Sequence, residues 1–172
     1  MTFPCWFERH WIELFTMGGT VATAIIILLQ ARLLRQQNQV NALILLQQEW
    51  ESPRLHSLRS RWGSAENDLE SLEPILEFLE EFAGFRKRKL LTDELVWDTT
   101  IGWHAARYYF YNRENGNIDK LRDDWKDRQI FQNLERELWR GYLEKEGRLE
   151  EIVKQEFLDT KQRFLEGEKG LR

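Results

Sequence analysis

The chain has 172 residues with 25 basic and 29 acidic side chains, so there is room for one domain, and its mildly acidic balance argues against a nucleic-acid-coating protein. One cysteine, Cys5, excludes an internal disulfide framework and every cysteine-based zinc pattern, and fits a reducing compartment. Ten glycines and three prolines against abundant Leu, Glu, Arg, Lys and Gln exclude a turn-rich β-sandwich and define an all-α fold.

Residues 1–13 carry Trp6, Phe7, Glu8, Arg9, Trp11 and Glu13. They precede Leu14 to Ala31, LFTMGGTVATAIIILLQA, a run with no charged side chain. As a helix it extends about 27 Å at about 1.5 Å per residue, close to the hydrocarbon thickness of a bilayer. The reading is a transmembrane anchor over residues 14–31, with 1–13 as an extracytoplasmic N-terminus. A cleaved signal peptide needs a basic start and a shorter apolar core that ends at small residues. Here Ala22-Thr23-Ala24 lies before the most apolar part, Ile25 to Leu29, so cleavage there would leave that run on the mature chain. A buried core helix has Thr16, Thr20 and Thr23 in its favour, but it would have to be apolar all round over five turns. Arg32 and Arg35 follow the run at once, and Arg54, Arg59 and Arg61 come soon after. This bias puts the C-terminal side in the cytoplasm and the N-terminus outside the cell (inner) membrane. Trp6, Phe7 and Trp11 would then form an outer aromatic belt. Gly18, Gly19 and Ala22 give a small-xxx-small spacing through which two anchors can self-associate.

Residues 32–51 form a stalk helix with Val40, Leu43, Ile44, Leu46 and Trp50 mostly on one face, among Gln36, Gln37, Gln39, Gln47 and Gln48. No Gly or Pro interrupts Gln30 to Glu51, so anchor and stalk read as one rod, whose apolar stripe either the domain or a second copy must cover. Residues 52–147 form the helical core, a compact bundle of about five to six helices. Ser52 is an N-cap with Pro53 in the first turn, and Gly63 is placed to end that helix in a left-handed conformation before a polar loop to Leu69. The next helix, about 72–86, sets Leu72, Ile75, Leu76, Leu79, Phe82 and Ala83 opposite Glu77, Glu80 and Glu81. Thr92 caps a helix from Asp93 to about Tyr111, so dense in aromatic groups that it becomes the expected centre of the core. After the Asn115-Gly116-Asn117 turn come a short helix from Asp119 to Trp125, with Leu121 and Trp125 inward, and a longer one through Ile130, Phe131, Leu134, Leu138, Trp139 and Tyr142 that stops before Gly147. Residues 148–172 form a C-terminal amphipathic helix and tail. Leu149, Ile152, Val153, Phe157 and Phe164 share one side, and fraying is expected from Gly167.

Four stretches carry a resemblance: Arg35-Gln36-Gln37-Asn38 after the anchor, the apolar helix ending at Ser52-Pro53, Phe78-Leu79-Glu80-Glu81-Phe82, and Leu91-Thr92-Asp93-Glu94-Leu95-Val96 opening an aromatic helix. Over Trp11 to Leu143 the chain resembles an uncharacterised bacterial family, a domain of unknown function, whose members are small proteins with one N-terminal membrane helix and a cytoplasmic all-helical domain. Where such proteins carry a glycine before Leu90, this chain has Lys89. The resemblance implies anchoring and architecture and brings no activity.

Chemistry would need His56 or His104 to converge with Glu77, Glu80, Glu81, Asp93, Glu94 or Asp98. Neither Glu-x-x-His nor His-x-x-x-His spacing occurs, and there is no Gly-rich phosphate loop or GxSxG setting. No catalytic, cofactor-binding or metal residue is therefore assigned, and no cofactor is expected. Arg86-Lys87-Arg88-Lys89 is the sharpest charge feature, able to hold anionic headgroups, to contact a nucleic-acid backbone or to complement the end of a helix dipole. The expected function is a non-enzymatic, single-pass membrane protein whose partners are the lipid bilayer and a protein or a second copy, nucleic acid not being among them. Two alternatives are a membrane-tethered enzyme or metal protein centred on His104 and nearby carboxylates, and a sensor or effector whose assembly acts through the anchor.

Overall fold

Capping residues and hydrophobic spacing lay the described residues out as helices joined by short turns. The computed structural model describes residues 4–65, 68–127 and 129–171, with backbone alone over 4–10 and 12–14, and contains no strand among them. In order these are α1 (Pro4–Trp50), α2 (Pro53–Ser64), α3 (Leu69–Lys87), α4 (Asp93–Trp97), α5 (Thr100–Glu114), α6 (Asn117–Asp124), a π-helical segment (Leu134–Trp139), α7 (Arg140–Glu146) and α8 (Glu150–Lys169). The chain parts into two units between Val40 and Asn41.

The first unit is the greater part of α1. From Phe15 to Asn38 its side chains are all exposed, including Ile25, Ile26, Ile27, Leu28 and Leu29. Thr20 and Thr23 donate their hydroxyls to the carbonyls of Thr16 and Gly19 at 2.8 Å, so neither needs an outside partner. Trp11 lies beside Phe15 with ring centroids 5.9 Å apart; Trp6 and Phe7 fall outside the described side chains. This is the one helix among the described residues long and apolar enough to cross a membrane, and none of its apolar window is buried.

In the second unit the predicted caps form. The Leu55 N–H donates to Ser52 Oγ at 3.3 Å with Pro53 in the first turn, and the Leu95 N–H donates to Thr92 Oγ1 at 3.4 Å. The aromatic helix is the centre of the core: Tyr108, Tyr109, Phe110 and Tyr111 are all buried. Four consecutive residues at about 100° each face every direction, so α5 must be enclosed on all sides. Trp62, Phe82, Trp139, Phe157 and Phe164 do this from α2, α3, the π-helical segment and α8.

Several expectations are corrected. The helix read from Asp93 to Tyr111 breaks at Asp98-Thr99, where Thr99 is extended (φ −99°, ψ 152°). Thr99 Oγ1 donates to the Val96 carbonyl at 2.9 Å and Trp103 Nε1 to that of Trp97 at 2.8 Å, so side chains take the acceptors that a continuous helix would have used. Gly102 makes the fold-back fit, because a Cβ there would collide with the Val96 carbonyl. Gly63 is helical rather than a left-handed cap, and it serves as the contact point for α8. Trp125 is mostly exposed instead of inward, its Nε1 donating to Glu73 at 2.6 Å. Leu149 and Ile152 are also exposed, whereas Val153, Phe157 and Phe164 are buried. In the stalk, Leu46 and Trp50 are buried while Ile44 and Leu45 stay exposed. The helix expected through Leu138 contains i→i+5 bonding, which brings Leu134 and Trp139 onto one buried face.

At the end of α3 the Lys89 N–H donates to Arg86 O at 2.8 Å and the Leu90 N–H to Phe85 O at 2.9 Å, a Schellman closure that needs a left-handed residue. Lys89 fills it at φ 57°, where a Cβ is strained. Lys89→Gly is expected to stabilise the domain by about 0.5–1 kcal/mol in denaturant titration. At Gly147, with φ 61° and open space around it, Gly147→Ala should lower stability by a similar amount.

Candidate functional site

Arg59 lies one turn before Gly63 on α2. A Cβ at Gly63 would stand 2.8 Å from the Lys169 nitrogen and 3.0 Å from Glu168 Cβ, so the bare glycine lets the last turn of α8 close onto α2. On α5, His104 and Tyr108 are four residues apart and share a face. These three elements bring Arg59, His104, Tyr108 and Glu168 together.

Glu168 is 2% exposed and Arg59 5%. Arg59 donates through Nε to Oε2 at 2.7 Å and through Nη2 to Oε1 at 3.1 Å, a two-pronged pair, and through Nη1 to the Trp50 carbonyl at 3.4 Å. Its guanidinium lies 3.9 Å from the centre of the Trp50 ring. The Tyr108 hydroxyl donates to Oε2 at 2.6 Å. His104 completes the set, with Nε2 3.3 Å from Oε1 and Nδ1 2.7 Å from the Thr100 carbonyl. Both ring nitrogens thus face oxygens, of which a neutral imidazole can donate to one and a protonated ring to both. Burial pushes the Glu168 carboxyl up. Hydrogen bonds from His104 and Arg59, the Arg59 charge and the Tyr108 hydroxyl overcome that and hold it down at about 2, against an ordinary 4.5. Burial and the neighbouring carboxylate raise the Tyr108 hydroxyl well above its usual range. A carboxylate so firmly ionised is a weak proton acceptor, and the cluster acts as a clamp between α2, α5 and α8.

Beside it opens a cavity of about 360 Å³ lined by Arg59, His104, Arg107, Thr160, Arg163, Phe164, Gly167, Glu168 and Leu171. The carboxylate that meets His104 is therefore Glu168, from the tail expected to fray, and that expectation is corrected. The missed signal is the continuation of the α8 stripe: positions 157, 161, 164 and 168 follow helical spacing, which puts Glu168 on the core side.

The other candidates lie elsewhere. Asp93 pairs with Arg86 at 2.9 Å. Glu80 is no free solvated face, since its carboxylate accepts the backbone N–H groups of Asn133 at 3.0 Å and Leu134 at 2.7 Å and caps the start of the π-helical segment. Glu77 and Glu81 line a separate groove of about 630 Å³ with Glu73 and Trp125. His56 lines a third hollow with Glu51 and Arg61. Glu94 is in the first turn of α4 and Asp98 caps its end. In the basic cluster Arg86 is turned inward, donating to the Glu137 carbonyl, while Lys87 reaches Asn133 Oδ1 at 2.9 Å and Arg88 lies over Phe85 at 5.2 Å. Lys87, Arg88 and Lys89 are exposed. Around Gly18 and Gly19 there is open space, and Ala22 is exposed. Among the described residues no three His, Cys, Asp or Glu side chains are grouped as a metal ion requires.

No family model, no curated protein and no solved structure matches the chain.

Because the Glu168 carboxyl is depressed, the stability it contributes is fully present above its unfolded value near 4.5 and is lost as the pH falls toward 2. The loss is on the order of 3 kcal/mol. Urea midpoints measured from pH 6 to pH 2 should show it. Glu168→Gln, which strands the Arg59 charge, should cost roughly 3–5 kcal/mol at pH 7, and Arg59→Met combined with Glu168→Leu should cost less and flatten the acid slope.

Proposed function

We propose that this protein is a single-pass membrane protein of the cell (inner) membrane, with its N-terminal flank outside and a cytoplasmic helical domain that serves as a non-enzymatic interaction or self-assembly module. The observation that carries the proposal is the unbroken apolar surface of α1. A soluble protein does not leave five consecutive large aliphatic side chains, Ile25 to Leu29, uncovered on a helix of this length. The Thr20 and Thr23 hydroxyls within it are satisfied by their own helix, as hydrocarbon surroundings demand. Arg32 and Arg35 after the span support the orientation. The open space at Gly18 and Gly19 supports close approach of a second anchor. The resemblance to the uncharacterised bacterial family implies the same architecture.

The reading centred on His104 draws less support, because both ring nitrogens already face oxygens and the adjacent carboxylate is fully engaged.

Fractionation of cells expressing the full chain with a C-terminal tag tests the proposal. The protein should stay in the membrane pellet through alkaline carbonate, leave it only in detergent, and expose its tag to protease only after the inner membrane is opened. Release by carbonate, or cleavage of the tag in cells with an intact inner membrane, would refute it. For self-assembly, in-cell cross-linked dimer should fall severalfold in Gly18→Leu with Ala22→Leu; an unchanged yield removes the anchor from the interface.

A further inference from the structure

The cavity beside the Arg59–Glu168 pair carries more positive charge than that pair uses. Arg59 commits Nε and Nη2 to Glu168 and Nη1 to the Trp50 carbonyl, and the Glu168 oxygens are taken up by Arg59, His104 and Tyr108. Arg107 of α5 and Arg163 of α8 line the same 360 Å³ space. Neither has a carboxylate at ion-pair distance among the described residues. Arg107 is half-buried, its guanidinium 5.3 Å from the Phe157 ring centre and 5.8 Å from that of Phe164, so two aromatic faces steady it. Arg163 is exposed at the rim. With Arg59 and Glu168 cancelling, two cationic forks remain uncompensated in a chain whose net charge is −4.

We propose that this cavity is a binding site for a phosphate group. Guanidinium forks match phosphoryl oxygens in geometry as well as charge, and a doubly charged phosphate balances two of them. A volume of this size admits a small ligand and excludes a folded partner. Glu168 does not repel the ligand strongly, because its charge is neutralised by the guanidinium held against both of its oxygens. The phosphate can arrive free in solution or as the headgroup of a phospholipid. The site does not depend on the membrane reading above, since phosphate binding can be measured in detergent.

The experiment titrates the full chain in neutral detergent with inorganic phosphate and follows heat and the phosphorus resonance. Saturable binding is expected. Its dissociation constant should rise at least tenfold in Arg107→Gln with Arg163→Gln, and severalfold in Arg163→Glu, whose exposed position leaves the fold intact. Arg88→Gln with Lys89→Gln, which removes the same charge elsewhere, should leave binding unchanged. No saturable binding, or equal weakening by the Arg88 and Lys89 substitutions, overturns the proposal. Repeating the titration in phosphatidylcholine nanodiscs with and without phosphatidic acid separates the sources. Loss of inorganic phosphate uptake when phosphatidic acid is present supports the site with a headgroup as ligand, and unchanged uptake supports it with free phosphate.

Discussion

The helical unit depends on one buried ion pair. Arg59 near the start of the unit and Glu168 near the end of the chain meet in the dry interior, where each alone would be untenable. Desolvating two charges is repaid only if every remaining donor and acceptor finds a partner, and here the partners come from two further helices. Tyr108 and His104 of α5 complete the carboxylate, and the Trp50 carbonyl and ring complete the guanidinium. The pair therefore fixes more than its own two elements. It dictates that α8 lie against α2 at Gly63 and that α5 present its 104–108 face to the junction.

Around that constraint the aromatic helix supplies the mass of the core. The Tyr111 hydroxyl donates to the Phe157 carbonyl at 2.7 Å and ties α5 to α8 a second time. Elsewhere in the unit Glu135 of the π-helical segment gathers Arg140 at 3.3 Å, Arg122 at 3.7 Å and Arg113 at 3.8 Å. This second hub is partly solvated, so its charges are screened and it contributes less per contact than the buried pair. The two hubs divide the labour: one joins α8 to α2, and the other holds the α5–α6 corner to the π-helical segment.

Features that depend on local chemistry were legible in the sequence. The caps at Ser52 and Thr92, the all-helical class, the apolar span and the central position of Tyr108 to Tyr111 all follow from neighbours within a few residues. What was not legible depends on residues distant in sequence. Gly63 looks like a terminator until α8 packs on it. Glu80 looks solvated until the Asn133 and Leu134 amides arrive, and Trp125 looks buried until Glu73 offers its carboxylate at the surface. The break before α5 is a tertiary choice as well, made by side chains of Thr99 and Trp103 against carbonyls that α-helical periodicity would have claimed. Glu168 was the largest omission, because charge at the end of a helix reads as fraying. Its spacing from Phe157 and Phe164 was the clue that outweighed its polarity.

That last turn of α8 is where the buried pair is most open to test. Amide hydrogen exchange on the full chain in neutral detergent would resolve it by segment. If the buried pair closes the unit, the amides of Phe164 to Glu168 exchange as slowly as those of Tyr108 to Asn112, because both open only when the whole unit unfolds. Exchange of the α8 end at the rate of a fraying terminus, with α5 still protected, would contradict it.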